Sequence, residues 1–250
     1  MSQARTFGKG SRVLVLGATS GIARPLVLEF ARHGFEVILA GRDQDELGTM
    51  AADIQVRFDT RVEVREFSAL DYDSHAEFWA GCGEVDGVVC CFGTMTDQAT
   101  AERDWEQCRL MLESNYNSTV SILNRVALDF ETRGRGFIAV ISSVAGDRAR
   151  RSNYIYASAK GAVSAYTEGL RARLYPRGVS VTTIKPGPVD TAMTWSMSKL
   201  PLLAEPEKVA SDIYRGIRRK ADVVYTPMPW RFIMAILRVI PGFLWKRLDF

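Results

Sequence analysis

A doubly wound parallel α/β sheet in a single domain is the fold class this sequence predicts, and three observations predict it. Short runs rich in valine and isoleucine alternate with longer segments of helical periodicity. Several of the short runs are continuously apolar, as strands are when helices cover both faces of a sheet. A glycine turn, Gly17-Ala18-Thr19-Ser20-Gly21, joins the first such run to the first helical one, where open α/β sheets place an anion.

The elements follow in order. Arg12–Leu16 reads as a strand and Ile22–Arg32 as a helix. Phe35–Ala40 is a second strand and Gln44–Phe58 a second helix. Val62–Phe67 and Gly87–Cys91 are strands separated by a helix near Ser74–Ala80. A long helical stretch covers Glu102–Phe130. Phe137–Ser142 is a strand, Tyr154–Leu174 a helix and Val179–Lys185 a strand. Pro206–Arg219 is a helix and Val223–Tyr225 a last short strand. Right-handed crossovers wind such strands into a Rossmann-type sheet with helices on both faces. No repeat or linker-like shift interrupts the chain, so residues 1–250 read as one domain, with 229–250 as a C-terminal apolar and basic arm.

Composition narrows the function classes. Apolar residues make up 47% and charged residues 24%, the balance of a globular protein. A net charge of +3 and the absence of a basic, aromatic-studded stripe before the tail argue against nucleic acid. Cys82, Cys90, Cys91 and Cys108 form no C-x-x-C pair and read as reduced, buried thiols rather than as a disulfide framework or zinc site. The segment Met1–Ser11 lacks the apolar core of a secretory signal, and no run is long enough to span a bilayer, so a cytoplasmic location is expected. His33 and His75 fall in helical surface contexts and join no nucleophile pattern.

The glycine turn is read as a pyrophosphate cradle. Gly17 permits the tight turn, and Gly21 lets backbone approach an anion at the helix N-terminus, with Thr19, Ser20 and Ile22 around it. Ala23 takes the place of a third glycine. At the end of the second strand, Gly41 offers no acid to ribose hydroxyls and Arg42 follows at once. A guanidinium matches a 2′-phosphate, so NADP(H) is expected over NAD(H); the alternative is a solvated loop arginine. Tyr156 and Lys160 stand four apart and share one helix face. A neighbouring ammonium favours a phenolate and lowers its pKa, suiting the tyrosine to acid–base work.

Together, the glycine turn, Asn115, Ser143, Tyr156, Lys160 and the run Lys185-Pro186-Gly187-Pro188-Val189-Asp190-Thr191 resemble the short-chain dehydrogenase/reductase family over almost the whole chain. The resemblance implies Tyr156 as general acid/base and Lys160 as the group that holds the nicotinamide ribose. It implies Ser143 on the substrate oxygen, Ser142 being its strand-end neighbour, and Asn115 supporting a water in a proton relay. Backbone near Val189 would meet the carboxamide, with Thr191, Pro186, Gly187 and Gly93 beside the cofactor. Members are commonly homodimers or homotetramers through the long helices, and a homo-oligomer is expected. The chain departs from the pattern at Cys90-Cys91-Phe92-Gly93, where Asn-Asn-Ala-Gly is usual, and at Ser68, where an acid is usual.

Two segments bear on substrate. Between Ser143 and Tyr156 lie Arg148, Arg150 and Arg151, suited to a phosphate or carboxylate, or else solvated loop arginines. Trp230–Arg247 mixes tryptophans, aliphatics and basic residues as segments lying in a membrane surface do; the alternative is an arm packed on the subunit or across an oligomer interface. Both features resemble a branch of the family that reduces a keto sugar carried on a polyprenyl phosphate. The tail contains none of the catalytic set, so its loss is expected to spare turnover of a short-chain analogue. Competing expectations are a soluble carbonyl, ketoacyl or hydroxysteroid reductase, and a nucleotide-binding regulator without catalysis.

Overall fold

The structure, a computed structural model, describes residues 7–195, 197 and 200–248; the outermost ends of the expected domain and arm, 1–6 and 249–250, lie outside the described residues. Seven strands form one sheet: β1 (Arg12–Leu16), β2 (Glu36–Gly41), β3 (Val62–Glu66), β4 (Gly87–Cys90), β5 (Phe137–Ile141), β6 (Ser180–Pro186) and β7 (Val223–Thr226). Their spatial order is β3-β2-β1-β4-β5-β6-β7, and every pairing is parallel. The helices are α1 (Ala23–Arg32), α2 (Gln44–Phe58), α3 (His75–Gly81), α4 (Gln98–Arg103), α5 (Trp105–Leu112), α6 (Ser118–Arg133), α7 (Tyr154–Leu174), α8 (Pro206–Arg218), α9 (Pro229–Val239) and α10 (Gly242–Trp245). This is the expected doubly wound Rossmann-type domain.

Successive strand side chains point to opposite faces, and the core divides accordingly. Val13 and Val15 of β1 pack with Leu26, Phe30, Leu47 and Ile213 under α1, α2 and α8. Leu14 and Leu16 pack with Ile122, Val126, Phe130 and Leu170 under α6 and α7. Both layers are fully buried, which is why β1 and β5 read as unbroken apolar runs.

Two sequence expectations are corrected. The stretch Glu102–Phe130 is not one helix. Asp104 adopts an extended backbone and accepts from the amides of Glu106 and Gln107, ending α4 and capping α5. A π-helical turn, Glu113–Asn117, then separates α5 from α6. His75 is not on the surface: its ring is fully buried, stacked on Phe67, and bonded to the Ser121 hydroxyl and the Ser68 carbonyl. Burial holds its pKa below the ordinary histidine value. Of the two readings of the tail, packing on the subunit holds for its inner face: Pro241 separates α9 from α10, and Trp230 and Met234 are buried against the body.

All four cysteines are free and buried, as expected. Among the described residues no helix is long and apolar enough to cross a membrane, and no group of three metal-ligating side chains occurs.

Candidate active site

Between β1 and β4 the strand order reverses, and a cavity of about 360 Å³ opens at the carboxyl ends of the strands there. The turn after β1 supplies Thr19, Ser20, Gly21 and Ile22 to its wall. The end of β4 supplies Gly93, and the end of β5 supplies Ser143. From α7 come Tyr156 and Lys160, four residues apart on one face. Pro186, Gly187, Val189 and Thr191 follow β6 and complete the set. Residues far apart in sequence thus meet because each follows the C-terminal end of a strand in one parallel sheet.

The first residue of α1 follows Ile22, whose side chain makes no capping bond; the Ala23 amide donates to the Ser20 hydroxyl at 3.3 Å, and the turn and helix N-terminus line the cavity. Such an end, beside Thr19 and Ser20, fits a pyrophosphate. Gly17 lies below this turn against Phe92 and does not line the cavity.

Asn115 sits inside the π-helical turn, 1% exposed. Its amide donates to the carbonyls of Met111 and Thr94, both at 2.7 Å, while its Oδ1 has no partner among the described residues. Gly93 crosses directly in front: a Cβ there would stand 2.5 Å from Asn115 Oδ1 and 3.4 Å from Lys160 Nζ. Glycine is therefore required at Gly93, where φ is +155°. An orphaned buried acceptor beside an ammonium, across a side-chain-free residue, is a place for a small polar bridge.

Ser142 and Ser143 diverge. Ser142 also borders the cavity, but it is buried and its hydroxyl is committed to the Lys160 carbonyl and the Ser164 hydroxyl. Ser143 is extended, lines the cavity and acts on the Tyr156 hydroxyl. Lys160 is 4% exposed and donates to the Ile141 carbonyl at 3.0 Å, its Nζ 5.7 Å from the Tyr156 ring centre. Burial pushes the Tyr156 phenol up to about 12, the Ser143 hydroxyl opposing it. The expected lowering by Lys160 is not what sets this direction: loss of solvent around the phenol raises it, and Ser143 alone opposes. Burial also brings Lys160 down to about 8.

That shift has a testable sign. Between about pH 8 and 10.5 the folded chain binds fewer protons at Lys160 than the unfolded chain, so this residue's contribution to stability rises with pH across that window. Below it, both states are charged and the full cost of burying the ammonium remains. Lys160→Met should therefore melt above the wild type near neutral pH, and the gap should narrow as pH rises through about 8 to about 10. A gap that does not move with pH would show that Lys160 is not shifted.

The arginines separate. Arg150 lines the cavity, makes no ion pair among the described residues, and burial lowers its pKa. Arg148 does not reach the cavity. Its guanidinium donates to the Arg238 and Ile240 carbonyls of the arm, at 3.1 and 2.8 Å, and lies over the Trp245 ring. It is an anchor for the arm, because helix-end carbonyls left without amide partners need donors. Arg151 borders a separate small hollow with Trp245, Lys246 and Leu248. Arg42 is exposed at the end of β2, outside the cavity.

Sequence reasoning missed an apolar wall: Met95, Met193, Met197 and Leu200 also line the cavity, with Asn153 at its rim. The signal was available in the methionine- and tryptophan-bearing run Ala192–Met197, which has no clear period. It also missed Trp230, whose indole packs on Gly187 so closely that a Cβ at Gly187 would lie 1.9 Å from Nε1.

Residues 11–200 match the family described as short chain dehydrogenase. The chain is 35% identical over 240 residues to an uncharacterized oxidoreductase of Mycobacterium tuberculosis, covering 94% of this chain and 96% of that one. Among solved structures, a short-chain dehydrogenase from Sphingobium yanoikuyae in complex with NADPH superposes with a TM-score of 0.82 at 22% identity, over 93% of this chain and 97% of that one. A 3-oxoacyl-[acyl-carrier protein] reductase with bound NAD from Brucella melitensis does so at 0.77 and 21%, over 90% and 92%. With the sheet order, the cavity at its switch point and these matches in agreement, the chain belongs to the short-chain dehydrogenase/reductase family and is an NAD(P)-dependent oxidoreductase.

Proposed function

We propose that this protein reduces a ketone to an alcohol with NADPH, Tyr156 acting as the proton donor. The observation that carries the reading is Tyr156 itself. Its hydroxyl stands in the cavity beside Ser143, and burial keeps it protonated far above neutral pH. A protonated phenol is the form that can donate to an alkoxide as it develops. Ser143 holds the substrate oxygen. Lys160 binds the ribose, and its ammonium would pass a proton to a water accepted by Asn115 Oδ1 in the space that Gly93 leaves open. The turn Thr19–Ile22 cradles the pyrophosphate, and Val189 and Thr191 take the carboxamide. When bound, the reduced nicotinamide supplies the hydride.

The preference for NADP(H) rests on Arg42, which is exposed and makes no ion pair among the described residues, beside Gly41, which carries no acid. Arg42→Ala should weaken NADPH relative to NADH by roughly 1.5–3 kcal/mol, the scale of a lost charge-assisted set of hydrogen bonds. Fluorescence titration of both cofactors checks it. Equal weakening, or a wild type that already prefers NADH, removes Arg42 from this role.

For the substrate we infer a keto sugar carried on a polyprenyl phosphate. Three features support it. Arg150 places a cation without an ion-pair partner among the described residues in the wall of the cavity that holds Tyr156 and Ser143. Phe232, Ile236 and Val239, at helical spacing on α9, are 61%, 65% and 77% exposed, and Phe243 continues them. Arg231, Arg238, Lys246 and Arg247 flank that stripe. The Gly146–Arg151 loop, Cys91-Phe92-Gly93 and the tail also resemble decaprenylphosphoryl-2-keto-ribose reductase.

The arm would then lie on an anionic membrane, each basic residue near the surface adding about 1 kcal/mol. Phe232→Glu/Ile236→Glu/Phe243→Glu should abolish sedimentation with anionic vesicles and leave the melting temperature unchanged, because all three side chains are exposed. A wild type that ignores such vesicles at low salt would move the assignment to soluble ketones. Exposed Trp105, Leu110 and Leu128 on α5 and α6 support a homodimer or homotetramer formed through those helices.

A further inference from the structure

Behind the cavity, on the side facing the arm, lies an ion pair that none of the roles above uses. Asp147 follows the short 3₁₀ turn Val144–Gly146, four residues after Ser143. Its Oδ1 is paired with Lys185 Nζ, and its Oδ2 accepts from the Tyr225 hydroxyl at 2.6 Å. The two charged side chains are 4% and 10% exposed. Lys185 directly precedes Pro186 and Gly187, and Tyr225 is its paired neighbour on β7. Three segments thus converge on one carboxylate: the loop that carries Ser143, the strand end that lines the cavity, and the edge strand that leads into the arm.

The same loop is held again one and two residues on. Arg148 clamps the end of α9, and the Ala149 carbonyl accepts from Trp245 Nε1 at 2.9 Å. On the other side, Gly146 abuts the backbone of Lys160: a Cβ there would stand 2.6 Å from its carbonyl carbon. The loop is therefore fixed between α7 and the arm, and Asp147 is its point of attachment to β6. A buried ion pair is a poor source of net stability, because desolvation offsets much of the attraction. Its directional bonds nevertheless hold two backbones in one register.

We propose that Asp147, through Lys185 and Tyr225, is a positioning residue that sets the distance between the Ser143–Tyr156 pair and the cofactor segment Pro186–Val189. The proposal rests on the reading of Ser143 and Tyr156 as the reacting pair. Hydride transfer depends steeply on that distance, and a misplacement of roughly 1 Å can cost about a hundredfold. The loop and the strand end meet at no catalytic side chain, so Asp147 acts on rate through geometry and not through contact with substrate.

The test uses the full chain with NADPH and whichever ketone, among aryl and alkyl ketones, the wild type reduces fastest. Asp147→Asn should lower kcat by about tenfold or more, leave the NADPH dissociation constant within about threefold, and raise the isotope effect on kcat with 4-deuterated NADPH. Asp147→Asn leaves a buried lysine unpaired, so a second variant removes both charges. Asp147→Leu/Lys185→Met should melt at or near the wild-type temperature, since apolar replacement of a buried pair is often neutral, yet keep the deficit in kcat. Tyr225→Phe should show a smaller deficit of the same kind. A double variant that is folded and turns over at the wild-type rate would overturn the proposal and leave the pair a structural one. Tyr156→Phe is run beside them. If it retains its rate, or the wild type reduces neither these ketones nor a keto sugar on a prenyl phosphate, the underlying reading fails instead.

Discussion

Tyr156→Phe is expected to lower ketone reduction by at least about 10²–10⁴-fold, the scale of losing a positioned acid or base. The ring stays, so its packing against the cluster of Ala101, Cys108 and Met111 is kept. Only the hydroxyl between Ser143 and the cavity is lost. NADPH should therefore bind the variant nearly as it binds the wild type, and the melting temperature should stay close. Stopped-flow single turnovers separate the step affected: hydride transfer should slow, not cofactor association. Because burial pushes the phenol up to about 12, the wild-type rate of reduction should not fall through loss of this acid between neutral pH and about 10. The reverse oxidation needs the phenolate and should rise with pH over the same range. A variant with near-normal turnover would remove Tyr156 from its assigned role, whatever the family match.

Trp230→Ala is expected to destabilise the fold by about 3–5 kcal/mol, the usual cost of deleting a large buried aromatic side chain. The indole is 8% exposed and covers Gly187, so its loss opens a void directly beneath the cavity floor. Urea titration of the wild type and variant measures the difference. Deleting residues 229–250 should cost at least as much, since it removes Trp230, Met234 and the carbonyls that Arg148 holds. This reverses the expectation that the tail could be cut away while a short-chain ketone is still reduced. The glutamate substitutions on the outer stripe of α9 are the cleaner way to separate membrane contact from folding. A truncated chain with unchanged stability and turnover would show that the arm is dispensable.

How much was legible in the sequence can be argued from particular residues. The strands at Arg12–Leu16 and Phe137–Ile141 were readable because full burial on both faces demands unbroken apolar runs. The glycine turn and the Tyr156–Lys160 spacing were readable because each is a local constraint: backbone that must approach an anion, and a helical period of four. The break of Glu102–Phe130 into α5, a π turn and α6 was not. Asp104 and Asn115 end or widen helices through side-chain bonds whose partners the periodicity does not name.

By itself, then, the sequence determined the sheet, its winding, and which residues stand at the ends of its strands, because local propensity and burial period act over a few residues. Tertiary structure alone decided what those ends face. It turned Arg148 toward the arm and left Arg150 in the cavity, two residues apart on the same loop. It buried His75, laid Trp230 against Gly187, and brought Asp147, Lys185 and Tyr225 together from three segments. It also raised the Tyr156 phenol, where a neighbouring lysine alone would lower it. The physical reason is common to all of these: desolvation and long-range packing depend on what the rest of the chain places alongside a side chain, and neither leaves a period in the sequence.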